Sequence, residues 1–158
     1  MDVRRVQAGE WQSLRDVRLR ALADSPDAFA TTHAEAAERP DQWWIDWTAR
    51  SATSDGQAIF LARDGDRLVG IAGAYGDPER FDVISMWVDP AVRGGGVGAA
   101  LLEAAIAFAG DAPVYLSVTE TNAPAKRLYE RRGFVPTGLT ERLASNPALA
   151  IHELRLVR

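Results

Sequence analysis

Cysteine is absent from the 158-residue sequence, which excludes disulfides, thiolate metal sites and any mechanism that passes an acyl group through a protein thiol. Histidine is scarce: His33 and His152 have no partner visible in the sequence, and neither is promoted to a base. Positive charge is in short supply as well. Eighteen basic residues against 22 acidic ones leave a formal charge of −4, so neither nucleic acid nor an anionic membrane is expected as a partner. No run approaches the roughly 20 apolar residues of a membrane span. Met1-Asp2-Val3-Arg4-Arg5 lacks the apolar centre of a secretion signal, and a cytoplasmic location is expected. What is present in quantity is apolar: 47% hydrophobic residues against 25% charged exclude a disordered chain and point to residues 1–158 as one domain.

Val3 to Val6 reads as a short first strand. Trp11, Leu14, Val17 and Ala21 fall on one helical face, in a helix that stops before Ser25-Pro26. Pro40-Asp41 opens a second amphipathic segment carrying Trp43, Trp44 and Trp47, with a polar break from Ser51 to Gly56. The texture then turns to strands: Ala58 to Ala62, a hairpin turn at Asp64-Gly65-Asp66, Leu68 to Ala74, a turn at Gly76-Asp77-Pro78, and Val83 to Val88. Leu101, Leu102, Ala105, Ile106 and Phe108 recur at helical spacing, Pro113 to Val118 is a further strand, and Asn122 starts a helix ending near Gly133. Phe134-Val135 and Ile151 to Val157 close the pattern as strands separated by a polar, proline-containing connection. The order is that of one mixed α/β sheet.

Four of the 13 glycines crowd into Val92-Arg93-Gly94-Gly95-Gly96-Val97-Gly98-Ala99, between an apolar strand and a helical pattern. A strand, a turn without Cβ atoms and a helix start together present free N–H groups and a positive dipole end to a phosphate. A nucleotide-hydrolysing P-loop needs Lys and Ser or Thr after the last glycine, where this chain has Ala99-Ala100. A dinucleotide turn follows its strand directly, whereas Asp89 to Arg93 intervene here. A third reading takes Arg93-x-x-Gly96-x-Gly98 as the unit, a loop that aims successive N–H groups at a pyrophosphate, with Arg93 available for charge-assisted bonding; a dinucleotide site and a plain glycine connection before a helix are the alternatives.

A second motif stands one helix and one strand later: Asn122-Ala123-Pro124-Ala125-Lys126-Arg127-Leu128-Tyr129-Glu130-Arg131-Arg132-Gly133-Phe134. The ordered pair resembles the GCN5-related N-acetyltransferase family, with its Gln/Arg-x-x-Gly-x-Gly/Ala loop and its later Asn-x-x-Ala-x-x-Leu-Tyr-x-x-x-Gly-Phe. The resemblance is strong from Ala58 to Phe134. It departs from the commoner pattern at Arg93, usually Gln, and at Gly95, often basic. It implies a mixed α+β fold: a mostly antiparallel sheet of six to seven strands with about four helices, whose splayed central strands form a coenzyme A cleft. Acetyl-CoA is the implied co-substrate, with no metal and with a small-molecule or peptide amine as acceptor. A homodimer through the terminal strands is common in the family.

On that resemblance, Gly94, Gly95, Gly96, Val97, Gly98 and Ala99 hold the pyrophosphate with Arg93, while backbone groups of Trp87 and Val88 bond the pantetheine arm as an added strand would. Tyr129 is the candidate acid that protonates the departing thiolate; as a phenol it keeps its proton at neutrality. Asn122 suits both an N-cap and a cofactor contact, and Lys126 and Arg127 could meet the adenosine 3′-phosphate. Asp82, or alternatively Glu79, is the candidate base that takes the amine proton. One of the three tryptophans is expected in the acceptor pocket. Net acidity favours a cationic acceptor through long-range steering. A non-catalytic acyl-CoA-binding or sensor module is the alternative function.

Overall fold

Near-continuous runs of β-branched and small apolar residues, buried on both faces in the first two, make three successive antiparallel strands in the computed structural model, which describes residues 1–158. With β1 (Asp2–Arg5), these are β2 (Gln57–Asp64), β3 (Arg67–Asp77) and β4 (Arg80–Val88). Three helices lie between β1 and β2: α1 (Trp11–Asp24), α2 (His33–Ala37) and α3 (Asp41–Thr53). After β4 come α4 (Val97–Ala109), β5 (Val114–Thr119), α5 (Ala123–Arg132), β6 (Phe134–Leu143) and β7 (Asn146–Leu156). The seven strands form one sheet in the order β1-β2-β3-β4-β5-β7-β6, antiparallel throughout except for the β4–β5 pair. The mixed α/β architecture is the expected one, with five helices in place of about four.

Alternation along the strands sends side chains to two layers. Ile59, Leu61 and Ile71 pack with Leu14, Val17 and Ala21 of α1 and with Trp44 of α3. Ala62, Val69 and Ala72 face Val97 and Leu101 of α4, and the absence of a side chain at Gly70 lets α4 settle: a Cβ there would stand 2.8 Å from Leu101 Cδ1. The C-terminal strands bury Leu116, Phe134 and Leu154 with Leu102 and Tyr129.

The sheet opens at its centre. β4 and β5 pair only at Phe81 with Val114 and Asp82 with Tyr115, and beyond Asp82 the two strands diverge. On its other edge β4 carries a bulge: Ile71 pairs Trp87 and Gly73 pairs Ile84, so Ser85 and Met86 oppose Ala72 alone. Ser85 is the chain's one non-glycine residue at positive φ, 58°.

Three expectations need correction. α2 and the 3-10 turn at Pro26–Ala28 fill a stretch with no predicted element, being too short to show a helical period. α3 runs through Ser51–Thr53, the start of the predicted polar break, because Ser51 and neighbouring Thr48 are fully buried against the sheet side of the helix. The polar connection between Val135 and Ile151 is strand on both sides of a turn at Ala144-Ser145. β6 is an edge strand whose residues from Val135 to Arg142 are all exposed, so burial imposes no apolar alternation there. Gly138, at φ 93°, sits in the irregularity between Pro136 and Thr140.

Candidate active site

The divergence of β4 from β5 creates a cavity of about 1060 Å³. One wall is β4 from Asp82 to Val88, and the opposite wall is Ser117 to Thr119 of β5 with the first turns of α5. The glycine loop from Val92 to Ala99 lines it beyond the end of β4, and the segment from Asp24 to Thr31 spans it from Asp24, beside Arg93, to Asp27, whose carbonyl accepts from Thr119 Oγ1.

At the loop end, α4 begins with its donors unspent. The first N–H to close a helical bond is that of Ala100, onto the carbonyl of Gly96. Gly94, Gly95, Gly96, Val97, Gly98 and Ala99 therefore carry N–H groups without a helical acceptor. Gly94 and Gly96 have φ values of 86° and 87°, which a side chain would strain. Gly98 lets the loop lie against α5: a Cβ would meet Leu128 Cδ2 at 3.2 Å. Such a cradle, at the positive end of a 13-residue helix, suits a pyrophosphate.

Along the wall, Asp89 N–H donates to Val69 O of β3. Strand alternation consequently turns the Val88 N–H the other way, into the cleft. On the far side, α5 is capped by Asn122, whose side chain accepts from the Ala125 N–H at 3.3 Å, and Gly133 ends it in the left-handed conformation. The helix delivers Tyr129 to the cavity, its ring edge-on to Phe134 at 6.0 Å. Burial alone pushes the Tyr129 phenol above its ordinary range, so the neutral, proton-bearing form is reinforced.

The sequence model of the acetyltransferase (GNAT) family matches residues 15–134. The chain belongs to this family. Among curated relatives, a mycothiol acetyltransferase of Salinispora arenicola is 34% identical over 125 residues, 73% of this chain and 38% of the relative. The N-alpha-acetyltransferase RimI of Mycobacterium tuberculosis is 40% identical over 85 residues, 51% of this chain and 54% of the relative. This GNAT chain thus spans between about a quarter and about half the length of the curated relatives it matches. A GNAT-family acetyltransferase from Streptococcus pneumoniae superposes with a TM-score of 0.84 at 19% identity, over 98% of this chain and 97% of the other. That likeness is one of fold.

Of the residues singled out in this GNAT sequence, the fold brings Asp82, Trp87, Val88, Arg93, Gly94, Gly96, Val97, Gly98, Ala99, Asn122, Arg127 and Tyr129 to one cavity. Glu79, in the β3–β4 turn, Lys126, exposed on α5, and Gly95 lie outside its lining. Arg93 is spoken for: its Nε donates to Val88 O at 2.9 Å and its guanidinium pairs with Asp24 at 2.9 Å. That ties the loop to the end of α1 instead of reaching over the cradle. Asp82 is gripped by Arg80 through two bonds of 2.9 and 3.1 Å, and Arg80 also holds Glu153 and stacks on Tyr115.

The tryptophan expectation fails. Trp43, Trp44 and Trp47 pack on one another, with centroids 4.9 to 5.8 Å apart, and none lines the cavity. α3 packs on β2, away from the splay. The segment that does cover the cleft includes Asp24, Phe29 and Thr31, together with Arg18 of α1; none of these had a role from the sequence. Asp24 gathers Trp87 Nε1 at 3.0 Å, Ser25 and Arg93, and the Trp87 bond is the leading cause holding its carboxyl below the usual range. No group of side chains in the chain is arranged to hold a metal ion, and no helix is long and apolar enough to cross a membrane.

Proposed function

We propose that this chain transfers the acetyl group of acetyl-CoA to a primary amine by direct attack while both reactants are bound. The observation that carries the reading is the row of unspent N–H groups from Gly94 to Ala99 opening onto the cavity that also holds Tyr129. The residues fit the donor: the cradle takes its pyrophosphate and the free edge of β4 beyond Asp82 accepts its extended arm. The Val88 N–H, facing the cleft beside the cradle, donates to an amide carbonyl of that arm. Tyr129 gives its proton to the departing sulfur.

The amine must shed a proton to attack. We assign this to Asp82, on the cavity wall, acting with its Arg80 pair in place; Glu79 is outside the lining and receives no step. Holding both reactants in one cavity supplies proximity without a covalent enzyme intermediate. The same reading makes the protein a cytoplasmic enzyme without a metal. It also offers the β6 edge, with Val135 and Leu139 exposed, as the contact of a homodimer.

The test pairs calorimetry with acetyl-CoA and a free-thiol assay across a panel of amines. The reading expects micromolar binding and thiol release with at least one amine. Tight binding with no thiol release for any amine would turn the chain into a sensor or binding module.

A further inference from the structure

Among the cations that line the cavity, Arg18 is the one drawn back from solvent with nothing to neutralise it; Arg127 and Arg131 are also unpaired, but they are exposed. Asp24 is paired with Arg93 and Asp82 with Arg80, whereas Arg18 of α1 makes one hydrogen bond, to Ser85 Oγ at 2.8 Å, and no ion pair. Its guanidinium lies over the Phe29 ring, 4.7 Å from the centroid. The charge it feels most is a second cation, Arg39, which stacks on Trp43 at 3.9 Å and has no carboxylate partner either. Burial and Arg39 push the Arg18 pKa down to about 10, which still leaves it charged at neutrality. Withdrawing a guanidinium from water beside a like charge is unfavourable unless an anion arrives. A chain with 22 acidic residues places none against it.

We propose that Arg18 and Ser85 form a subsite for a carboxylate carried by the acceptor, so that the amines acetylated here bear a negative charge at a second point. The proposal rests on the acetyl-transfer reading above. Ser85 already accepts from Arg18, so its hydroxyl proton is free to donate. A planar guanidinium fork beside one hydroxyl matches the two oxygens of a carboxylate. Ser85 precedes Trp87 and Val88 on the β4 wall, which sets the subsite near the reacting end of the cleft rather than at the Gly94–Ala99 cradle. The charge offered by Arg18 is thus opposite in sign to the net charge of the chain.

The test measures binding to CoA-saturated protein by calorimetry. The probes are N-acetylglycine, N-acetyl-β-alanine and N-acetyl-γ-aminobutyrate, each against its carboxamide. At least one acid should bind about 10–100-fold more tightly than its amide. Arg18→Met should erase that preference, Arg18→Lys should keep part of it, and CoA affinity should be unchanged in both. Equal binding of every acid and amide by the wild type, or a preference that survives Arg18→Met, overturns the proposal. Tighter binding of N-acetylethanolamine phosphate than of any acid overturns it in favour of a phosphate. If the acids bind in an Arg18-dependent way while none of the parent amines releases thiol, the subsite stands and the acetyl-transfer reading falls.

Discussion

Replacing Tyr129 by Phe removes one oxygen and leaves the ring in place against Phe134. No protein group bonds that hydroxyl, burial being the sole cause of its raised pKa, so no partner is orphaned and stability should change by less than about 1 kcal/mol. Turnover should respond on another scale. A positioned acid contributes about 10²–10⁴ in rate, or about 2.7–5.4 kcal/mol of barrier at about 1.36 kcal/mol per tenfold. The pH dependence has a definite sign: an upward shift keeps the phenol protonated beyond its ordinary value of 10.0, so kcat should show no alkaline fall from Tyr129 below about pH 10. Stopped-flow thiol release under single-turnover conditions isolates the chemical step. The urea midpoint and CoA affinity report whether the cavity survived. A single-turnover rate equal to wild type, with both controls intact, would refute the assignment of Tyr129 as the acid.

Asp89, 7% exposed, accepts from Ala91 N–H at 2.9 Å and pairs with Arg20 at 2.5 Å and Arg67 at 2.9 Å; Asp89→Asn should lower stability by about 1–2 kcal/mol in urea unfolding, mostly through Arg20, since exposed Arg67 is screened. Its Ala91 bond and cationic partners hold its folded pKa below 3.8. The carboxylate's contribution is therefore complete above that unfolded value and is lost as pH falls through the folded one, a loss that acid titration of the Asn variant should not show. Gly96→Ala meets no atom within 4 Å but must hold φ 87°; it should cost about 1–2 kcal/mol and weaken CoA binding in calorimetry. Gly76→Ala would set a Cβ 2.0 Å from Arg80 O in the β3–β4 hairpin, and thermal melting should show a larger loss of stability than for Gly96→Ala.

The proposed donor half of the site was legible because its constraints are local. Free N–H groups require glycine and a helix start in one short stretch, and delivery of Tyr129 requires a cap at Asn122 and a stop at Gly133. Both leave marks in the sequence. The proposed acceptor half was not legible. Arg18, Asp24 and Phe29 meet Ser85 and Trp87 across gaps of more than fifty residues, and Phe29 follows a 3-10 turn too short for any period. The tryptophans misled for a related reason: three aromatics on one helix satisfy one another as readily as they would line a pocket. In β6, exposure removed the alternation by which strands are recognised, while β2 to β4, buried by helices, were found within a few residues.

The two-position seam between β4 and β5 divides the sheet into leaves, β1 to β4 and β5-β7-β6, bridged at the paired end by one apolar cluster that joins Phe81 and Val83 to Val114 and Leu116. α4 is the strut between them: Leu101 sits with Ala62, Val69 and Ala72, while adjacent Leu102 sits with Leu116, Phe134 and Leu154. Such an arrangement predicts a soft mode, in which the C-terminal leaf opens as a cooperative unit at a lower free energy than global unfolding. A molecule bonded along both lips of the seam closes that mode. Amides of β5 and β7 should then slow in hydrogen exchange on CoA binding by more than those of β2 and β3, which makes the cleft a joint in the scaffold as well as a place for chemistry.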